Sequence, residues 1–151
     1  MNLLAKEFWS RMDAAEQKLS QVPEEDARQP LRPGGWSRKE ILGHLVDSAC
    51  INHVRIVFAA TVDGYECPKY DQDAWVALHG YAQMPWAVVL DQWRGRYTWM
   101  AEMITNLPEE ALERQLTITG FPTVTIREWI KDCLQHLEHH INQIVGVPTA
   151  P

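Results

Sequence analysis

The chain has 151 residues, 46% hydrophobic and 23% charged, which suits one globular domain over residues 1–151 and excludes a disordered tail or a fibre. Lys and Arg total 14 against 20 Asp and Glu, a net charge of −6, and no basic run is present, so a nucleic-acid partner is not expected. No uninterrupted apolar run approaches the roughly 20 residues a bilayer needs, and the three cysteines, Cys50, Cys67 and Cys133, lack CxxC spacing, so the expectation is a cytoplasmic protein with free thiols and no membrane partner.

Leu4, Phe8, Met12, Ala15 and Leu19 recur every three or four residues and predict a helix over about 3–21. Pro23, Pro30, Pro33, Gly34 and Gly35 make 22–36 a loop. Ser37-Arg-Lys-Glu40 is a capping box that opens a second long helix, over 37 to about 62, closed by Asp63-Gly64. Residues 63–84 read as a crossover with a short helix over Asp71–His79. Pro85 suits the first turn of a third long helix, whose stripe of Trp86, Val89, Leu90, Trp93, Tyr97, Met100 and Ile104 runs to about 107. Pro108 starts a short helical turn. Leu116–Ile118 and Val124–Ile126 flank Gly120-Phe-Pro122 and suggest a small hairpin. Thr125-Ile-Arg-Glu128 is a second capping box, and the last helix spans about 126–145 before Gly146 and Pro148. Four long amphipathic helices predict an all-α four-helix bundle. The 63–84 crossover lets the second and third long helices run parallel, as an up-down-down-up order requires.

The chemistry-bearing residues cluster. His136 and His140 stand at i, i+4 on the last helix and project one turn apart, spacing that lets both imidazoles reach one ion. The alternative is one core and one surface histidine, and His139 points to the wet side. On the second long helix His44 shares a stripe with Ser48 and Arg55, and Asn52 lies close to it. Polar groups in an apolar face are costly unless they are bonded or hold something, so the stripe is a site candidate; the alternative is a hydrogen-bonded network that only fixes helix register. Three neutral imidazoles on two helices with one open position form the pattern of a catalytic metal site, and such ligands suit Zn, Ni, Co, Cu or Fe. Cys133, three residues before His136, is a candidate to close a structural shell instead.

Asp47, one turn after His44, is a candidate to accept an imidazole N–H or to activate water. Arg55 is a candidate to bind a substrate carboxylate, against a structural pair with Asp71 or Asp73. His53 and His79 have no partner at metal spacing and read as surface or supporting residues. Trp36, Trp75 and Trp86 either wall a cavity or pack the core and crossover.

The ordered set Arg32-Pro-Gly-Gly-Trp36-Ser37, His44-Leu-Val-Asp47-Ser48, Asn52 and Arg55, then Tyr70-Asp71 with Trp75, then His136-Leu-Glu-His139-His140-Ile-Asn-Gln143-Ile144, resembles the DinB superfamily in its YfiT-like branch. The resemblance covers about residues 30–146. It implies an up-down-down-up four-helix bundle and a divalent metal, with Zn or Ni foremost, held by His44, His136 and His140. Members of the superfamily include thiol-dependent S-transferases and isomerases and metal-dependent hydrolases. The branch tends to carry a histidine where this chain has Gly43, and another where it has Gln143; the three ligand positions are kept.

The expected activity is therefore metal-assisted activation of water or a low-molecular-weight thiol for attack on a small electrophilic substrate, with Asp47 taking a proton and Arg55 orienting the substrate. The alternative is a non-catalytic bundle that the metal stabilises or that binds a ligand. Trp9, Trp99, Ile56 and Ala60 fall off the main stripes, which predicts a homodimer through outer helix faces; the alternative is that these residues pack beneath the loops. The resemblance also implies frequent homodimers.

Overall fold

A computed structural model describes residues 2–146. Four long helices carry the fold: α1 (Leu3–Leu19), α3 (Arg38–Thr61), α5 (Trp86–Asn106) and α6 (Ile126–Val145). Two short helices, α2 (Glu24–Ala27) and α4 (Gln72–His79), lie in the connections. Strands β1 (Tyr65–Cys67), β2 (Gln115–Ile118) and β3 (Val124–Thr125) form one small sheet.

Both expected capping boxes form. Ser37 accepts from the Glu40 N–H while Glu40 reaches back to the Ser37 N–H at 2.7 Å, and Thr125 and Glu128 do the same at the start of α6. Each box satisfies backbone donors that a helix start leaves free. Gly146 adopts the left-handed conformation that closes α6; Pro148, the other expected stop residue, lies outside the described residues.

Side-chain contacts give the directions. Trp9 meets Thr105 and Arg94 meets Glu16, so α1 and α5 are antiparallel. Arg11 reaches Glu138, and further along α1 Lys18 shares a groove with Asn142, so α1 and α6 are parallel. Arg38 bonds the Ile144 carbonyl and Asn52 meets Trp129, so α3 and α6 are antiparallel. This is the up-down-down-up order, with the long crossover between α3 and α5.

The core is continuous. Phe8, Leu42, Leu45, Ile56, Trp93, Met100 and Ile130 are all essentially sealed from solvent. Helix α3 is the central one, buried on several sides, and by length and composition it is apolar enough to cross a bilayer. That corrects the expectation that no segment would reach this threshold; most of its apolar window is buried inside the bundle. Ile56, expected on an outer face, is fully buried, and Ala60 and Trp9 are half-buried against the core.

The sheet exceeds the expected hairpin. β2 and β3 pair antiparallel, but β1 adds in parallel to the far edge of β2, with Tyr65 opposite Leu116 and Cys67 opposite Ile118. The first residues of the crossover are thus held beside the segment that enters α6. The 22–36 loop also contains a device the sequence did not show. Glu24 of α2 accepts from the buried Lys39 ammonium and from the Trp86 N–H, and these contacts draw its carboxyl down to about 2. One carboxylate thereby ties α2 to the starts of α3 and α5.

Candidate metal centre and its cavity

The antiparallel pairing of α3 and α6 brings His44, His136 and His140 to one point. One ligand atom from each lies within 4.8 Å of the others. The Nε2 atoms of His44 and His136 are 3.0 Å apart. Two imidazole nitrogens bound to one zinc ion at about 2.0–2.1 Å would be separated by roughly 3.3 Å, so the spacing fits a shared ion. A single proton can bridge only two of three converging imidazoles; a cation satisfies all three lone pairs.

The protonation states agree with that reading. Burial, reinforced by His140, pushes His44 down to about 4. Burial and the neighbouring imidazoles push His136 down to about 3. Burial also lowers His140, opposed by its bond to Gln143. All three rings are therefore neutral near pH 7, as ligands must be. His140 Nδ1 lies 2.7 Å from Gln143 Oε1. An amide oxygen only accepts, so His140 carries its proton on Nδ1 and presents Nε2 as a lone pair. Gln143, which the resemblance marks only as a departure, thus orients the His140 ring.

Cys133 is not part of this group among the described residues. It is buried, and its thiol is pushed up to about 12 by burial and by Asp132. It lines the neighbouring cavity instead.

That cavity has a volume of about 410 Å³, within the range of small-molecule sites. His44 and His136 stand at its wall, followed along α3 by Ser48, Asn52 and Arg55. The polar stripe is a connected chain: Asn52 donates to Ser48 at 3.1 Å, while its Oδ1 accepts from Arg55 and from the Trp129 indole, each at 3.3 Å. Trp129 was not anticipated, although it precedes Cys133, His136 and His140 on one stripe of α6. Lys69, Tyr70 and Phe121 complete the outer wall. Only the packing of the crossover and the β2–β3 turn onto α3 and α6 brings them there.

Other expected residues are placed differently. Arg55 pairs with neither Asp71 nor Asp73; it donates to the Pro68 carbonyl at 2.9 Å and to Asn52. Asp71 caps α4 through the Ala74 N–H. Asp47 is 2% exposed, and its polar contacts go to Tyr81 and His79, not to the triad. Its Oδ1 accepts from the Tyr81 hydroxyl at 2.6 Å and lies 2.8 Å from His79 Nδ1, while Oδ2 is buried without a hydrogen-bond partner. Burial raises the Asp47 carboxyl, and the Tyr81 and His79 contacts oppose the rise. His53 is buried and stacked on Trp99 at 3.9 Å, not a surface residue. Trp36 stands 5.2 Å from the His44 ring and, with His140 and Gln143, lines a second opening on the other side of the triad. Trp86 packs in the core, and Trp75 sets its edge against Tyr70 and His79.

Comparison with known proteins agrees with the fold. The "Putative metal-dependent hydrolase OB0782" of Oceanobacillus iheyensis is 23% identical over 116 residues, covering 77% of this chain and 67% of that protein. YfiT from Bacillus subtilis, described as a probable metal-dependent hydrolase with an unusual four-helix bundle topology, superposes with a TM-score of 0.81 at 19% identity, covering 94% of this chain and 84% of that one. The mycothiol-dependent maleylpyruvate isomerase superposes with a TM-score of 0.74 at 15% identity, covering 93% of this chain and 57% of that one. At these identities the superpositions speak for the fold alone. Residues 6–144 match the profile of the DinB superfamily, and the chain belongs to that superfamily.

Proposed function

We propose that this protein is a metal-dependent enzyme of small molecules, with His44, His136 and His140 holding one divalent transition ion, zinc or nickel foremost. The observation that carries the reading is the convergence of three neutral imidazoles, one buried and two half-buried, two of them in the wall of a cavity large enough for a substrate. The relatives named as hydrolases, and the fold shared with a thiol-dependent isomerase, support the same class of chemistry. An ion at this point supplies Lewis acidity, lowering the pKa of a water or a low-molecular-weight thiol beside it.

The chain's own residues do the rest. Gln143 fixes the His140 tautomer. Ser48 and Asn52 present polar atoms along the cavity and hold Arg55 and Trp129 in register. Asp47 acts as a positioning residue: through Tyr81 and His79 it fastens the crossover to α3 beside His44.

Metal analysis of protein purified without a histidine tag tests the reading. About one divalent ion per chain is expected, lost in His140→Ala with the helical spectrum intact. Unchanged stoichiometry in all three single His→Ala variants overturns it. A thiol-transfer assay with common cellular thiols and a model electrophile, run beside an ester-hydrolysis assay, separates transferase from hydrolase.

A further inference from the structure

We propose that Arg55 is the anion-binding group of the triad cavity, and that the molecule taken there is an elongated one bearing a carboxylate. The inference deepens the preceding reading by naming the chemical class of its ligand. It starts from the surroundings of the guanidinium. Arg55 is 7% exposed. None of the ion pairs formed among the described residues includes it. Its hydrogen bonds go to two neutral oxygens, Asn52 Oδ1 and the Pro68 carbonyl. A buried cation without a counter-charge is costly, and Arg cannot shed its proton.

Two aromatic rings soften that cost without cancelling the charge. The guanidinium carbon lies 5.9 Å from the Tyr70 ring centroid and 6.0 Å from that of Trp129. The fork offers five N–H donors and the two neutral oxygens do not use them all, so donors remain for a ligand. A planar carboxylate accepts two parallel bonds from such a fork.

The position sets the shape of the ligand. Arg55 and His44 lie on one stripe of α3, eleven positions apart, or about 16 Å along the helix axis. Both line the same cavity. A molecule with one end at the triad and its carboxylate at Arg55 must therefore be long. Tyr70, Phe121 and Trp129 give it an aromatic wall to lie against; the exposed Lys69, set over Phe121 at 4.7 Å, adds a second positive charge, and the exposed Asp132 of the same lining is its one negative charge.

The test uses two elongated probes of one shape, 6-phenylhexanoate and 6-phenylhexanamide, titrated by calorimetry into full-length protein with and without added zinc. The carboxylate is expected to bind about tenfold or more tighter than the amide, as a charged hydrogen-bonded pair implies. The Trp129 indole N–H resonance, assigned with Trp129→Phe, should move with the carboxylate. Arg55→Met should abolish the preference and Arg55→Lys should keep part of it, each checked for native helicity. Equal affinity for the two probes in the wild-type protein overturns the proposal without any variant. So does a carboxylate preference that survives Arg55→Met. Because the preference is read in metal-free protein too, its failure is distinguishable from failure of the metal site.

Discussion

At the scale of single residues, two positions that the resemblance marks as departures, Gly43 and Gln143, acquire physical roles. A Cβ on Gly43 would lie 2.1 to 2.6 Å from ring atoms of Tyr81. Glycine there lets the Tyr81 ring lie against the α3 backbone, with its hydroxyl on Asp47. Gly43→Ala is therefore expected to cost about 1–3 kcal/mol through overpacking, read by urea denaturation; a change near zero would mean that the Tyr81 contact is not formed. Gln143 fills the other departure. Gln143→Leu removes the acceptor of the His140 Nδ1–H, and metal affinity should fall by about 10–100-fold, measured by competition with a chromophoric chelator, while the urea midpoint of metal-free protein moves little.

At the scale of elements, the contact between α3 and α6 carries the site, and its response to pH follows from the histidine shifts. In the unfolded chain these histidines titrate near 6.5; in the folded metal-free protein His44 and His136 titrate near 4 and 3. Above 6.5 neither state binds the protons, and stability does not depend on these groups. As pH falls from 6.5 towards 4, the unfolded state takes up protons that the folded state refuses, so stability falls. Metal-free protein should lose thermal stability across this window, and His136→Asn should flatten the slope. The two capping boxes fix where α3 and α6 begin. Ser37→Ala and Thr125→Ala should each cost about 0.5–2 kcal/mol, and their effects should add, since they cap different helices.

At the scale of the whole molecule, an ion held between α3 and α6 binds the folded state only, so it adds stability by mass action. Chelation should lower the melting temperature, and zinc should restore it in the wild type and not in His136→Ala. We also propose a homodimer. Trp99 is 54% exposed over His53, and Val54 and Phe58 of α3 are about half exposed, which leaves large apolar side chains open to solvent. Light scattering at micromolar concentration should give twice 17.4 kDa; a mass of one chain would retire the dimer, and Trp99→Glu should weaken it.

Sequence by itself determined the four long helices, both capping boxes and the three histidines, because each is written in local terms: a period near 3.6, a side chain three residues from its cap, two imidazoles one turn apart. The same logic placed Arg55 on the stripe of His44. What it could not determine was what each polar group meets across space. The carboxylate that answers His79 and Tyr81, the lack of an ion pair at Arg55 among the described residues, the addition of β1 to β2, the inward turn of Ile56 and the entry of Trp129 into the cavity all depend on which elements pack together. Those contacts join residues tens of positions apart, and no local period encodes them. The histidine triad was legible because helical spacing and chemistry coincide there; the cavity beside it exists only once the crossover and the small sheet close over α3 and α6.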